Sequence, residues 1–372
     1  MKRNIFSTLL FSVVSSYTLM AQMPVPKTIV SIPETCIKDQ QYTGTCWCFS
    51  TSSLLETEYL QRTKKPIDLS EMYVVRNIYI EKAINYLLRQ GHCRFDEGSL
   101  AQDVFIAIDK YGTVPQAAYK GYKEGKTNYD HSDLVKDLKT YMEKVKATFP
   151  IDKNWKKGYE EILDRNLGKV PAKFTFEEKE YTPITFAKEV LKFNPKNYLL
   201  ITSFSHHPYN TNFALEVPDN FSNGRYFNTT PEEMLQITRK ALENKYSVLW
   251  DTDVSNPGFM LEKGACLEVA AETNDWDSPE LPVNATQRQN MFEQLVTTDD
   301  HLMHLVGIAE SSKGKPLFMV KNSYGEKRSI NGHLYTSENY FYNNTVCIIL
   351  SKNAVSPEFL KRYKASFAEN NY

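Results

Sequence analysis

The sequence predicts an α+β protein of two lobes, helical in its first half and stranded in its second. Two observations carry this. Between about residues 46 and 120, apolar side chains recur at three-to-four spacing, the period of a helix with one buried face. From about residue 195 the pattern changes to short apolar runs bounded by Asn, Pro and Gly, as strands are. A length of 372 residues allows one large domain or two medium ones. No internal repeat or low-complexity tract interrupts it.

At the N-terminus, Lys2 and Arg3 precede an apolar stretch, Ile5 to Leu19, that is broken by serines. Ala21 then offers a small residue before a cut ahead of Gln22. Residues 1–21 therefore read as a signal peptide, and export to the periplasm or the extracellular space is expected. The run is shorter and more polar than a membrane span, and no cysteine stands at the cut to take a lipid. Residues 22–372 remain as the mature domain.

Two helices are expected at "CWCFSTSSLLETEYLQRT" and "MYVVRNIYIEKAINYLLRQG", the second ended by Gly91. From about 120 to 185 the chain reads as a helical insertion, with "LVKDLKTYMEKVKATF" and "NWKKGYEEILDRNLG" as its helices. Between Lys120 and Lys169 twelve basic and nine acidic residues alternate, which suits a solvated surface better than a nucleic-acid patch. The net charge of −1 also argues against a nucleic-acid partner. Strands are expected at "NYLLITSF", "YSVLWDTDV", "LMHLVGIA", "LFMVKNSY" and "VCIILSK".

The chemistry starts at "QQYTGTCWCFST". Gly44 and Thr45 turn the chain into a helix, and Cys46 follows at its mouth. A thiol there meets unpaired N–H groups and a partial positive charge, which favour thiolate. The plain alternative is a buried structural cysteine. The six cysteines show no CxxC pair, and Cys46 and Cys48 point to different sides of the helix, so neither a redox pair nor a metal site is expected. No cofactor is called for, and disulfide pairing stays open.

A thiolate needs an imidazole partner. Of seven histidines only His301 and His304 lie in an apolar strand, and their odd separation sends them to opposite faces. If "HLMHLVGI" and "LFMVKNSY" form a hairpin, Ile308 lies near Leu317 and Met303 opposite Asn322. His301 and Asn322 then share a face, and Asn322 could orient the imidazole. Attack on an amide creates an oxyanion, for which the Gln40 side chain and the Cys46 N–H are candidate donors.

Together these segments resemble the papain-like cysteine peptidases. "QQYTGTCWCFS" is similar to their cysteine segment, "DDHLMHLVGI" to their histidine segment, and "VKNSYGEKRSINGHLY" to their Asn-Ser-Trp-Gly segment, all in the family's order. "TGTCWCFST", "LSEMYVVRNIYIEKA", "YGTVPQAAY" and "SHHPYNTNFALEVPDNF" resemble the bleomycin hydrolase and aminopeptidase C branch. The resemblance implies a papain-like two-lobed fold, with a helical left lobe and an antiparallel, β-barrel-like right lobe carrying a helical insertion.

By position the resemblance makes Gln40 the oxyanion donor, Cys46 the nucleophile, His301 the acid/base and Asn322 its orienter. It leaves His304 structural. Gly98 and Ser99, in "DEGSL", fall where the family's Gly-Gly strand lines the substrate cleft. Tyr324 replaces the family's Trp, which shields the His–Asn hydrogen bond, and is expected to shield it less well. The tail after Val355 is short and helix-like, whereas the branch carries a longer tail whose carboxylate captures the substrate amine. The expected activity is peptide-bond hydrolysis through an acyl-enzyme, with aminopeptidase action favoured over endopeptidase action or an inactive binding role. The branch also implies a homo-oligomer, a hexamer.

Overall fold

The computed structural model describes residues 23–368, so the run read as a signal peptide lies outside the described residues. The chain opens with strand β1 (Lys27–Ser31) and then builds a helical lobe from α1 (Cys46–Thr63), α2 (Glu71–Leu88) and α3 (Ala101–Tyr111). Helices α4 (Ser132–Ala147) and α5 (Trp155–Leu167) follow in the stretch expected to be an insertion, with a short hairpin of β2 (Phe174–Phe176) and β3 (Lys179–Tyr181) and one turn of helix, α6 (Pro183–Phe186).

The expected helix at residues 46–63 forms over those same residues. Ser70 caps α2 by accepting the Tyr73 N–H at 3.2 Å. Both helices bury most of their length. Trp47, Leu54, Met72, Val75 and Ile78 enter one core that continues into α3, α4 and α5.

The second half holds the sheet. Its strands are β4 (Tyr198–Thr202), β5 (Asn212–Ala214), β6 (Arg225–Asn228), β7 (Val248–Thr252), β8 (Phe259–Met260), β9 (Ala265–Cys266), β10 (His301–Glu310), β11 (Pro316–Lys321), β12 (His333–Ser337) and β13 (Thr345–Ser351). They run in the order β5-β6-β4-β13-β7-β10-β11-β12-β9-β8, with β1 paired to β10. Pairing is antiparallel except for β4–β6 and β9–β12. No described pairing closes the sheet, so the expected barrel is an open sheet here. Helices α7 (Pro231–Glu243), α8 (Ala285–Glu293), α9 (Glu338–Asn344) and α10 (Pro357–Ala368) cover it. Trp250, Phe318, Phe341 and Ile348 form its core.

All five expected strands are present. The helices of this half were less visible, although α7 carries a plain start signal: Thr230 accepts the Glu233 N–H at 3.2 Å and Pro231 takes the first turn. Helix α10 packs on the sheet lobe, where the Tyr363 hydroxyl accepts the Leu200 N–H at 3.3 Å and Arg362 pairs with Glu233.

The central hairpin positions the histidine. At its loop end the register differs by one from expectation, with Ala309 opposite Leu317. A bulge at Val306 then absorbs one residue, and His304 faces Lys321. Continuing that register puts Met303 opposite Asn322, as the sequence predicts. Gly307 sits beside this bulge because the Val30 carbonyl of β1 lies against it; a Cβ there would fall 2.3 Å from that oxygen.

Candidate active site

Cys46 begins α1 in the helical lobe, and His301 begins β10 in the sheet lobe. Both line a cleft of about 530 Å³, together with Gln40, Gly98, Ser99 and Tyr324. Asn322 stands behind His301. The structure thus brings the expected site residues together, in or directly behind one cleft.

The turn into α1 is held from the cleft wall. Glu97 accepts the Gly44 N–H at 2.7 Å, and the Trp47 indole donates to the Gly44 and Glu97 carbonyls at 3.1 and 3.0 Å. No acidic side chain occupies the first turn. The Cys46 N–H, first in the helix, has no intrahelical acceptor and faces the cleft mouth.

Gln40 is buried, and both ends of its amide are tied. Its Oε1 accepts the Ser323 hydroxyl at 2.6 Å, and its Nε2 donates to the Thr43 carbonyl at 2.7 Å. Nε2 carries a second proton that neither bond uses, and Gln40 lines the cleft with Cys46. Ser323 went unnoticed in the sequence because it reads as part of a turn.

His301 is oriented by a bond that also settles its tautomer. The Asn322 Oδ1 accepts the backbone N–H of Ser323 at 2.8 Å, which fixes which end of the amide is oxygen. His301 Nε2 therefore donates its proton to that oxygen at 2.8 Å. The lone pair is left on Nδ1, the nitrogen not engaged by Asn322.

Tyr324 lies over the imidazole, with ring centroids 4.8 Å apart and planes 21° from parallel. Its hydroxyl approaches Nδ1 at 3.4 Å. The imidazole lone pair lies in the ring plane and the hydroxyl lies above it, so this is a stacking contact rather than a hydrogen bond. The tyrosine thus covers one face of the imidazole ring.

The thiol's surroundings run against the expectation of a lowered pKa. Burial pushes Cys46 up to about 12, Asp251 and Asp299 push the same way, and a backbone bond at Leu302 opposes them. Burial likewise lowers His301 to about 4, against the Asn322 bond. Each charge alone is costly there. A proton moved from Sγ to Nδ1 creates both charges at once, and their attraction offsets the desolvation.

His304 does not line the cleft. Its Nδ1 meets the Ser53 hydroxyl at 2.9 Å, one heptad along α1 from Cys46, and burial holds it neutral. Gly98 and Ser99 lie in an irregular segment between α2 and α3 rather than in a strand. A Cβ on Gly98 would fall 1.9 Å from Asp219 Oδ2, so the missing side chain is what lets that carboxylate approach. The Ser99 hydroxyl is already committed to Asp103 at 2.7 Å.

All six cysteines are free. Among the described residues, His206, His207 and Glu216 form one group whose ligand atoms lie within 4.8 Å of one another. Gln289 argues against a metal there. Its Oε1 accepts the Ser205 N–H at 2.6 Å, so its NH₂ points at His206 Nδ1, 3.0 Å away. The ring proton is then on Nε2, the atom donated to Glu216 at 2.6 Å.

A cysteine at a helix mouth and a histidine at the start of a sheet strand, lining one cleft, is the arrangement of papain-like proteins. The chain belongs to the Peptidase C1-like family, whose model matches residues 92–370. Cysteine proteinase 1, mitochondrial, of Saccharomyces cerevisiae is 23% identical over 395 residues, covering 92% of this chain and 80% of that one. Aminopeptidase C of Lactococcus lactis subsp. cremoris is 24% identical over 383 residues, covering 91% and 86%. The crystal structure of PepW from Lactobacillus rhamnosis matches the fold with a TM-score of 0.75 at 20% identity, covering 93% of this chain and 86% of that one.

Proposed function

We propose that this chain is a cysteine aminopeptidase. The observation that carries the reading is the His301–Asn322 bond, which among the described residues leaves Nδ1 as the one imidazole lone pair on the cleft that holds Cys46. Cys46 Sγ attacks the carbonyl carbon of the first peptide bond while its proton passes to His301 Nδ1. The oxyanion lies between the Cys46 N–H and the Gln40 amide. Collapse expels the amine, which takes the proton from His301, and leaves a thioester on Cys46. Water then attacks the thioester, giving its proton to His301, and the free amino acid leaves with Cys46 restored.

The similarity to proteins named aminopeptidases C and E supports release of N-terminal residues. The test is hydrolysis of a fluorogenic aminoacyl amide with and without an N-acetyl block. Preference for the free amine supports the reading; equal or better cleavage of a blocked peptide makes the chain an endopeptidase. The N-terminal run supports export, which cell fractionation tests. The branch resemblance supports a hexameric homo-oligomer, which light scattering of the purified protein tests.

A further inference from the structure

Six acidic side chains line the cleft, and the mechanism uses none of them; Asp96, Glu97, Asp219 and Asp300 have partners of their own, which leaves Asp251 and Asp299. Asp251 lies in the middle of strand β7, whose neighbours Leu249 and Trp250 are core residues. It is 1% exposed, yet it lines the cleft beside Cys46. Asp299 lines the same cleft from the loop before β10. Asp251 Oδ1 and Asp299 Oδ2 are buried, and no N–H or O–H of the described residues donates to either. Both oxygens therefore belong to the wall of one cleft and lack a donor there. Two desolvated carboxyls on the wall of one cleft favour a positive charge beside them, a proton or a cation.

Of the described cations nearby, Lys139 lines the cleft but is exposed, and the other two are already engaged. Arg94 pairs with Asp96 and, at 3.2 Å, with Asp219. Lys82 lies under Gly98 and pairs with Asp96 at 3.5 Å. Neither touches Asp251 or Asp299. Without a bound cation a proton serves, and burial raises the Asp251 carboxyl to about 7.

We infer that Asp251 and Asp299 form the site that holds the substrate's free N-terminal ammonium, which fixes cleavage at the first peptide bond. This rests on the aminopeptidase reading and adds the residues responsible. An ammonium has three donors, enough for both free carboxylate oxygens, and it replaces that proton. Both carboxyls line the cleft that Cys46 lines, so a charge held by them lies in the space the scissile bond must enter. A blocked N-terminus would leave the pair without a cation, and a substrate entering further along would bury the pair unmatched.

The test compares Ala-aminomethylcoumarin amide with its N-acetyl form, and with N-acetyl-Lys-aminomethylcoumarin amide, on the wild type, Asp251→Asn and Asp299→Asn. Alkylation of Cys46 by iodoacetamide reports whether each variant has kept its cleft. If Asp251→Asn fails that check, the more exposed Asp299→Asn carries the test. The expected result is that the free-amine preference in kcat/KM falls by about 10- to 100-fold in the variants, the scale of losing a buried charged hydrogen bond, mainly through KM. A wild type that prefers the free amine and folded variants that keep this preference would overturn the assignment while leaving the aminopeptidase reading intact. A wild type without the preference removes both. Efficient cleavage of N-acetyl-Lys substrate that is lost in the variants would make the pair a pocket for a basic side chain and overturn the inference.

Discussion

At the residue scale, Cys46 and His301 depend on each other, because the cleft opposes either charge alone. Alkylation rates should show this. In the wild type, iodoacetamide should react with Cys46 at neutral pH, where the proton can move to His301. In His301→Ala the thiol loses its counter-charge while burial still raises its pKa, so reaction should require pH well above 9. Peptidase turnover should fall by about 10²–10⁴-fold or more in the same variant. Fast alkylation of His301→Ala at neutral pH would show that the helix mouth alone makes the thiolate. The stacked ring of Tyr324 gives a second prediction. Tyr324→Ala should lower kcat/KM about tenfold, the upper end of what an aromatic contact contributes. Tyr324→Trp should change it little, because a ring already covers the imidazole. An equal loss in both variants would mean that the tyrosine acts through its hydroxyl.

At the element scale, the strand-like stretch leading to Gln40 is pinned to α1 and α2 by Lys38. Its ammonium reaches Glu56 at 2.7 Å and Glu71 at 2.6 Å, and both carboxylates are buried. The same stretch crosses to the sheet lobe, where the Gln40 N–H donates to the Ser323 carbonyl at 2.9 Å and the Gly325 N–H to the Lys38 carbonyl at 3.1 Å. Lys38→Met leaves two buried acids facing each other. It should cost about 3–5 kcal/mol of stability, read by urea unfolding. A cost below about 1 kcal/mol, typical of a surface pair, would mean that the acids find other partners. Gly98→Ala tests the opposite wall. Its new methyl must displace Asp219, so KM should rise with the thiol still reactive.

At the scale of the whole molecule, the two lobes meet along α1 and β10. Ser50 donates to the Leu302 carbonyl and Ser53 meets His304, so the second histidine belongs to the joint between lobes rather than to the cleft. His304→Gln should therefore spare turnover far more than His301→Ala does. It should also change the acid limb of stability. His304 is held neutral in the fold, with its pKa well below 6.5, whereas the unfolded chain takes up a proton below about 6.5. The unfolded state then binds more protons, so this residue lowers stability as pH falls through that value. The melting-temperature gap between wild type and His304→Gln should shift in the variant's favour from pH 7 to pH 5. A constant gap would mean that His304 is protonated within the fold.

The sequence by itself determined the helical and stranded halves, the helix that begins at Cys46, and the choice of His301 over His304. These rest on short-range pattern: a 3.6-residue period, a two-residue alternation, and motifs whose members lie close along the chain. It also placed His301 with Asn322, although the bulge at Val306 was needed to bring the register there. What the tertiary structure decided depends on groups far apart in sequence. Asp251 is visible as an acid inside an apolar strand, but nothing nearby along the chain predicts that Asp299 shares its cleft. The raised thiol and the lowered imidazole come from burial between two lobes, whereas the local signal at the helix mouth points the other way. Local pattern sets which face a side chain takes; the sum of desolvation and charge across a cleft exists only once both lobes have closed on it.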